Sequence, residues 1–415
     1  MNVLLFSLFF TCQASQPSPA HVTLQDTPVG VSQLESAGIE DSKIPEEEIS
    51  YTPYAQRVYS ASPEYQTMFG IRASSGAGNI LLGRSKRIEV YKSTDEGLTR
   101  TAILNVGADI SNPGTFGTNF VSDGITVAEI SLGTGAPQMV TIHRCNNDVW
   151  KSMPHITAGD IPAKDIKLKR KVSIHGDEIA VLSSRGVEIF TFDGSRYVWK
   201  QFVERPADIN DRLFGSSLNL GKDKLAVGCW RGPTNQEHVE VFSRADGSWK
   251  HTAHIVDSRG GPSERFGVQT KFDGNNLMIA ASNWSEATGC ILVYKEVVPA
   301  EGQEVSIDKR WKEVQRISQL EGNECCFGTS FRVDKNTLAV AACSKMTKGS
   351  VILFKRESPE TKWVFDDLIL PDPAMGNLRF GSDIALSGSK LVVGIPFGSK
   401  EGVGSTGMAQ VYNVN

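Results

Sequence analysis

The strongest constraint on this chain is a phrase of residues that recurs along its length. The clearest copy is Phe214-Gly215-Ser216-Ser217-Leu218-Asn219-Leu220, four further residues, Leu225-Ala226-Val227-Gly228, a loop, Val239-Glu240-Val241-Phe242, and then Trp249. The Phe-Gly pair recurs at Phe69-Gly70, Phe116-Gly117, Phe266-Gly267, Phe327-Gly328 and Phe380-Gly381. One copy is worn. Aligning Val172-Ser173-Ile174 and Ile179-Ala180-Val181 with the clearest copy puts Leu168-Lys169 in the Phe-Gly slot. The seven starts are then 47, 52, 46, 52, 61 and 53 residues apart.

Each copy holds four short apolar runs of period-2 alternation separated by Gly, Asn, Asp and Ser turns, which is the pattern of antiparallel strands. A four-stranded sheet cannot bury both faces alone, so copies must stack around an axis. A strand-rich period near 50 residues predicts an all-β fold, a seven-bladed β-propeller of four-stranded antiparallel blades. The Gly after each Phe is expected where backbones approach closely, and the Phe in the gap between blades. Trp150, Trp199, Trp249, Trp311 and Trp363 each begin the fourth, outermost strand. The last copy stops on a third strand, Met408-Ala409-Gln410-Val411-Tyr412, while Tyr54–Ser60 reads as a fourth strand with no blade of its own. Pairing the two completes blade seven with an N-terminal strand and removes two exposed sheet edges.

The Phe-Gly-x-Ser opening, the Leu-Ala-Val-Gly run and the Val-x-Val-aromatic third strand together resemble the FG-GAP repeat of integrin-α-type seven-bladed propellers, in its metal-free branch. The resemblance covers about Tyr51 to Asn415. No Gly-His…Trp-Asp pair recurs, as WD40 repeats require, and no Gly-Gly pair closes each second strand, as in kelch repeats. Propellers of the resembled family often carry Asp-x-Asp-x-Asp-Gly calcium loops between strands one and two. The corresponding turns here are Gly221-Lys222-Asp223-Lys224, Asp273-Gly274-Asn275-Asn276, Asp334-Lys335-Asn336-Thr337 and Ser387-Gly388-Ser389-Lys390. They are too short and too poor in carboxylates to wrap a calcium ion, so they read as hairpin turns, with no metal and no cofactor.

Three segments follow from composition. Val3–Phe10 is apolar and is followed by Thr11-Cys12-Gln13-Ala14, where Cys12 and Ala14 fit a small-x-small cleavage site. Residues 1–14 therefore read as a secretory signal peptide without its basic region, too short to span a membrane. Residues 15–50 read as a flexible acidic linker: from Gln16 to Ser50 there are no aromatics, and seven acids face one Lys. Residues 51–415 are the propeller. The net charge of −4, with no basic stripe, argues against a nucleic-acid partner.

Export gives the six cysteines beyond Cys12 a context for disulfides. Cys343 is expected to pair with Cys325 or Cys326, which share one end of blade six. Cys229 and Cys290 lie at comparable edges of neighbouring blades. Cys145 reads equally well as a small apolar strand residue. Asn283-Trp284-Ser285 is a glycosylation acceptor in a eukaryotic host.

No Gly-x-Ser-x-Gly elbow, phosphate loop or dinucleotide fingerprint occurs. His251 and His254 sit three apart on a strand, where alternation places them on opposite faces and bars them from sharing a metal. The other histidines have no ligand spacing. Trp230 and Trp284 do not fit the strand-four pattern; they follow the second strands of blades four and five. The loop face that carries them, where the resembled family commonly binds its ligand, would gather Trp230, Arg231, Arg259, Trp284, Lys345, Lys348 and Phe397. Such residues make contact hot spots; alternatively each Trp folds back over a blade edge. Three functions remain open. One is a secreted binding or adhesion propeller that recognises an extracellular protein or glycan without catalysis. The second is a secreted carbohydrate-active hydrolase or lyase, which would need paired carboxylates near the axis. The third is a structural or assembly role with no discrete ligand.

Overall fold

The computed structural model describes residues 53–61, 68–105, 119–131, 138–210, 212–229, 236–259, 264–283, 288–297, 305–318, 326–343, 348–371, 378–399 and 406–414. Their strands form seven four-stranded antiparallel sheets, and the described helical structure is two three-residue 3₁₀ turns. No helix among them is long and apolar enough to cross a membrane. Each sheet is a blade. Blade 1 comprises Arg72–Gly76, Asn79–Arg84, Arg87–Thr94 and Gly97–Asn105; blades 2 to 6 open on strands starting at Val121, Leu168, Phe214, Phe266 and Phe327. Second strands such as Asn79–Arg84 and Lys390–Ile395 are buried along their whole length, because neighbouring blades cover both faces. Outermost strands such as Val149–Thr157 alternate between solvent and core.

The Phe-Gly pair is a turn as well as a wedge. Gly70, Gly267, Gly328 and Gly381 have φ of +82°, +79°, +87° and +79°, and the residue after each donates its N–H to the carbonyl of the residue before the Phe. A positive φ at the third position with that hydrogen bond is a type II turn, which favours Gly there. A Cβ on Gly70 would come within 2.6 Å of the Met408 carbonyl in the preceding blade. The Phe rings bridge blades as expected: Phe327 packs with Met278, Ala280 and Ile291 of blade 5 and with Leu338 and Val340 of its own. Leu168 takes this slot in blade 3, buried between Val140 and Ile142 on one side and Val181 on the other. Phe116-Gly117 lies outside the described residues.

Ring closure is as the repeat implies. Gln56–Val58 pairs antiparallel with Met408–Asn413 as the fourth strand of blade 7, with Arg57 opposite Gln410. The strand also grips blade 1. Gln56 Oε1 accepts from the Leu98 N–H at 2.8 Å. The wholly buried Glu89 carboxylate accepts from Ser60 Oγ at 2.6 Å and Ala61 N–H at 3.0 Å.

A β-bulge between the third and outermost strands departs from strict alternation. It appears in blades 1 to 6, for example between Val241↔Ala253 and Phe242↔His251. One extra residue, Thr252 in blade 4, is accommodated, so residues three apart regain a common face. His251 Nε2 and His254 Nδ1 consequently both reach the carboxylate of Glu240, the latter at 2.7 Å. The expectation that they point to opposite sides is overturned.

The expected disulfides among described cysteines are absent. Cys229 and Cys290 are separate buried thiols, Cys229 in the core between blades 3 and 4 and Cys290 in that between blades 4 and 5. Cys326 and Cys343 flank the Phe327–Ala342 pair but are not bridged. Cys326 has φ of +74° in the turn that precedes Phe327, which takes it out of the ladder, and Cys343 Sγ lies 3.9 Å from Ser382 Oγ of blade 7. Cys145 is a half-buried thiol, and Cys325 lies outside the described residues.

Candidate functional site

The first strand of every blade has one edge turned to the axis. Its backbone groups need partners there, and short polar side chains of neighbouring blades supply them. Ser173 Oγ accepts from the Leu220 N–H of blade 4 at 2.9 Å, and Asn219 Oδ1 from the Phe272 N–H of blade 5 at 2.8 Å. The Gln269 amide bonds both the carbonyl and the N–H of Phe331 in blade 6, at 3.2 and 3.3 Å. Asp383 Oδ2 accepts from the Ala73 N–H of blade 1 at 3.1 Å, and Ser74 Oγ donates to the Ser122 carbonyl of blade 2 at 3.2 Å.

Charged residues stand at the same levels. Three residues after the Phe slot are Arg72, Lys171 and Asp383; five after it are Lys271 and Arg332. Asp383 accepts from Ser330 Oγ at 2.6 Å and Arg332 at 2.9 Å, with Arg72 Nε at 3.4 Å. Burial pushes its carboxyl up, but Arg332 and Arg72 override this and hold it below the usual range. Arg332 spans blade 7 altogether: the same guanidinium nitrogen donates to the Ala73 carbonyl of blade 1 at 2.9 Å. Lys171 of blade 3 feels Arg72 of blade 1 across the axis; burial first, and then that repulsion, lower its pKa from 10.5 to about 8. Lys271 keeps access to channel water while protein surrounds it; this enclosure, with Arg332 beside it, lowers its pKa, opposed by Asp273. Among the described residues at these two levels, four cations face one carboxylate.

The cations continue to the rim. A cleft of ≈ 360 Å³ between blades 3 and 4 is lined by Lys169, Arg170, Lys171 and Arg212 beside Leu182, Leu213 and Phe214. Its described lining contains no carboxylate. Lys171 belongs to both cleft and channel. This is an arrangement for an anion: guanidinium forks and ammonium groups over an apolar floor, Arg170 and Arg212 exposed and Lys169 and Lys171 half-buried. Paired carboxylates for glycoside hydrolysis are not found at the axis among the described residues, and Asp383 is committed to two arginines and three N–H or O–H donors.

Of the loop-face residues singled out from sequence, Trp230, Arg231, Trp284 and Lys345 lie outside the described residues. Arg259 is exposed after the outermost strand of blade 4, and its guanidinium pairs with Glu313 on the outermost strand of blade 5 at 2.6 Å. Lys348 is exposed on blade 6, and Phe397 lies half-buried on blade 7 under the Arg379 guanidinium, 5.0 Å from its centroid. These three stand on separate blades with separate surroundings. Asn283 is half-buried, the rest of its tripeptide lying outside the described residues. The channel cations escaped the sequence reading, although the repeat register contains their signal: a charge at a fixed offset from the Phe slot.

Lys171 carries a prediction. In the unfolded chain it holds its proton to about 10.5, in the folded protein only to about 8. Between those values the unfolded state binds more protons, so stability rises with pH through that window. Below pH 8 the full penalty applies. Lys171→Met should therefore stabilise the protein at pH 7 by about 1–2 kcal/mol, discounted for channel water. Urea unfolding at pH 7 and pH 10 should show the advantage shrinking; an equal advantage at both would place its cause elsewhere.

No family model and no curated protein matches the sequence. Solved structures share the fold. A chain of the crystal structure of a mitotic checkpoint complex is 10% identical with a TM-score of 0.52, covering 93% of this chain and 99% of that one. A putative 6-phosphogluconolactonase from Bacteroides fragilis is 11% identical with a TM-score of 0.51, covering 83% and 94%.

Proposed function

We propose that this chain is an exported binding propeller that holds an acidic group of a protein or glycan partner at the basic rim of its central channel. The observation that carries this reading is the convergence of Lys169, Arg170, Lys171 and Arg212 on one cleft. The repeat residues support an FG-GAP-type affiliation, and the apolar Val3–Phe10 run supports export. The rigid ring presents the cleft at little conformational cost, and positive charge around it steers an anionic partner in.

The test uses the purified chain against a sulfated oligosaccharide and poly-glutamate, with a neutral oligosaccharide as control, by calorimetry at low and high salt. At least one acidic probe should bind, and more weakly as salt rises. Arg170→Glu/Arg212→Glu should weaken that binding by about tenfold or more, ~1.4 kcal/mol, while the melting temperature is retained. Equal affinity for the neutral sugar, or a charge reversal without effect, would defeat the reading.

A further inference from the structure

Blade 4 differs from its neighbours at one buried spot. In blade 3 the five corresponding positions are Ser183, Gly186, Glu188, Trp199 and Phe202; in blade 4 they are Cys229, His238, Glu240, His251 and His254. The carboxylate is kept, and its surroundings change to a thiol and three imidazoles. Cys229, His238 and Glu240 are all buried, and one donor atom from each lies within 4.8 Å of the other two.

The hydrogen bonds fix what each atom offers. His238 Nδ1 lies 3.2 Å from the Gln236 carbonyl, which can only accept, so Nδ1 carries the proton. Nε2 then presents its lone pair inward. It is buried, has no hydrogen-bond partner, and stands 3.3 Å from Glu240 Oε1. Two acceptors facing each other in a dry core repel unless a cation lies between them. Ligand bonds of roughly 2.0–2.1 Å at a tetrahedral angle separate an imidazole nitrogen from a carboxylate oxygen by about 3.3 Å. His254 Nδ1 is 2.7 Å from the same oxygen, and its ring centroid is 4.6 Å from that of His238. His251 Nε2 bonds the other carboxylate oxygen, Oε2, and so orients Glu240 from outside, as partners of metal-bound carboxylates do.

We propose that Cys229 Sγ, His238 Nε2 and Glu240 Oε1 form a zinc-class metal site inside blade 4, with His254 bonded to the same carboxylate oxygen beside it. The mixed sulfur and imidazole set favours zinc over calcium or magnesium. The role is independent of the basic rim: the metal would lock the second and third strands of one blade together.

The chelator-treated, reduced full chain is titrated with Co²⁺. Saturation at one ion per chain is expected, with the visible bands of tetrahedral cobalt and a thiolate-to-cobalt charge-transfer band, all displaced by Zn²⁺. Cys229→Ser should remove the charge-transfer band, and His251→Gln should weaken affinity by about tenfold without removing it. His238→Gln, which leaves the thiol in place, should weaken affinity more than His251→Gln and serves if the Cys229 variant fails to fold. No stoichiometric uptake by the unmodified chain, octahedral cobalt spectra, or a charge-transfer band and affinity untouched by these substitutions would each overturn the proposal and leave Glu240 as the centre of a metal-free histidine cluster.

Discussion

A chain beginning at residue 61 should be less stable than one beginning at residue 51 by on the order of 5 kcal/mol, with a loss large enough to read in a simple thermal melt. The short strand Gln56–Val58 contributes far more than its length suggests. It completes blade 7, buries Val58 at 6% exposure, and supplies the Ser60 hydroxyl that bonds the Glu89 carboxylate. Without it that carboxylate, at 0% exposure, keeps Tyr91 and a 3.5 Å contact to Arg100 but loses the Ser60 hydroxyl and the strand that holds Ala61 in place. A buried charge stripped of partners costs several kcal/mol. The edge of Met408–Asn413 would also be open to pairing with other chains. The 51-start chain is the control that isolates the strand. Identical melting of the two truncations would refute closure by this segment.

Asp257→Ala should destabilise the protein by about 3–5 kcal/mol. Arg316, wholly buried on the outermost strand of blade 5, is held by Asp257 at 2.6 and 2.8 Å and by Glu313 at 3.1 Å to each oxygen. Asp257 lies just after the outermost strand of blade 4 and also accepts from the Arg259 N–H at 3.0 Å. The cluster therefore staples two blades. Removing Asp257 leaves the guanidinium in a dry core without its two shortest hydrogen bonds. Replacing both partners with apolar residues, as in Asp257→Leu/Arg316→Met, should recover much of the loss because no orphaned charge remains. Urea titration of the three proteins decides it. A double variant no better than the single would show that the staple acts through packing rather than charge.

The fold was legible because one register is written seven times. Even the worn copy could be placed: Leu168 is apolar and large enough to fill the slot of a Phe, and its neighbours keep the strand spacing. Closure was legible because a lone strand at each end has one economical partner. The candidate site was not. Strict alternation separated His251 from His254, and a bulge that inserts Thr252 leaves no mark on the alternation of polar and apolar residues in an outer strand. Cys326 and Cys343 stand at matched ends of two paired strands, yet the left-handed turn ahead of Phe327 separates them. Arg332, Lys171 and Lys271 read as ordinary charges on half-exposed strands, since a first strand in a propeller exposes its edge to the axis rather than to bulk water. Trp230 and Trp284, singled out for breaking the pattern, fall where the structure describes nothing.

Arg332 acts as a gauge of the ring. Most inter-blade bonds near the axis join nearest neighbours and would survive the insertion of another repeat anywhere along the chain. Arg332 reaches from blade 6 past Asp383 of blade 7 to the Ala73 carbonyl of blade 1, so its two bonds hold only at one curvature. An added blade would widen the axis and carry Ala73 beyond the guanidinium, leaving it with Asp383 and with the Ser330 hydroxyl and Phe331 carbonyl of its own strand. Blade number in this ring is thus tied to one side chain's length: an extra repeat would meet a penalty at a position remote from its insertion.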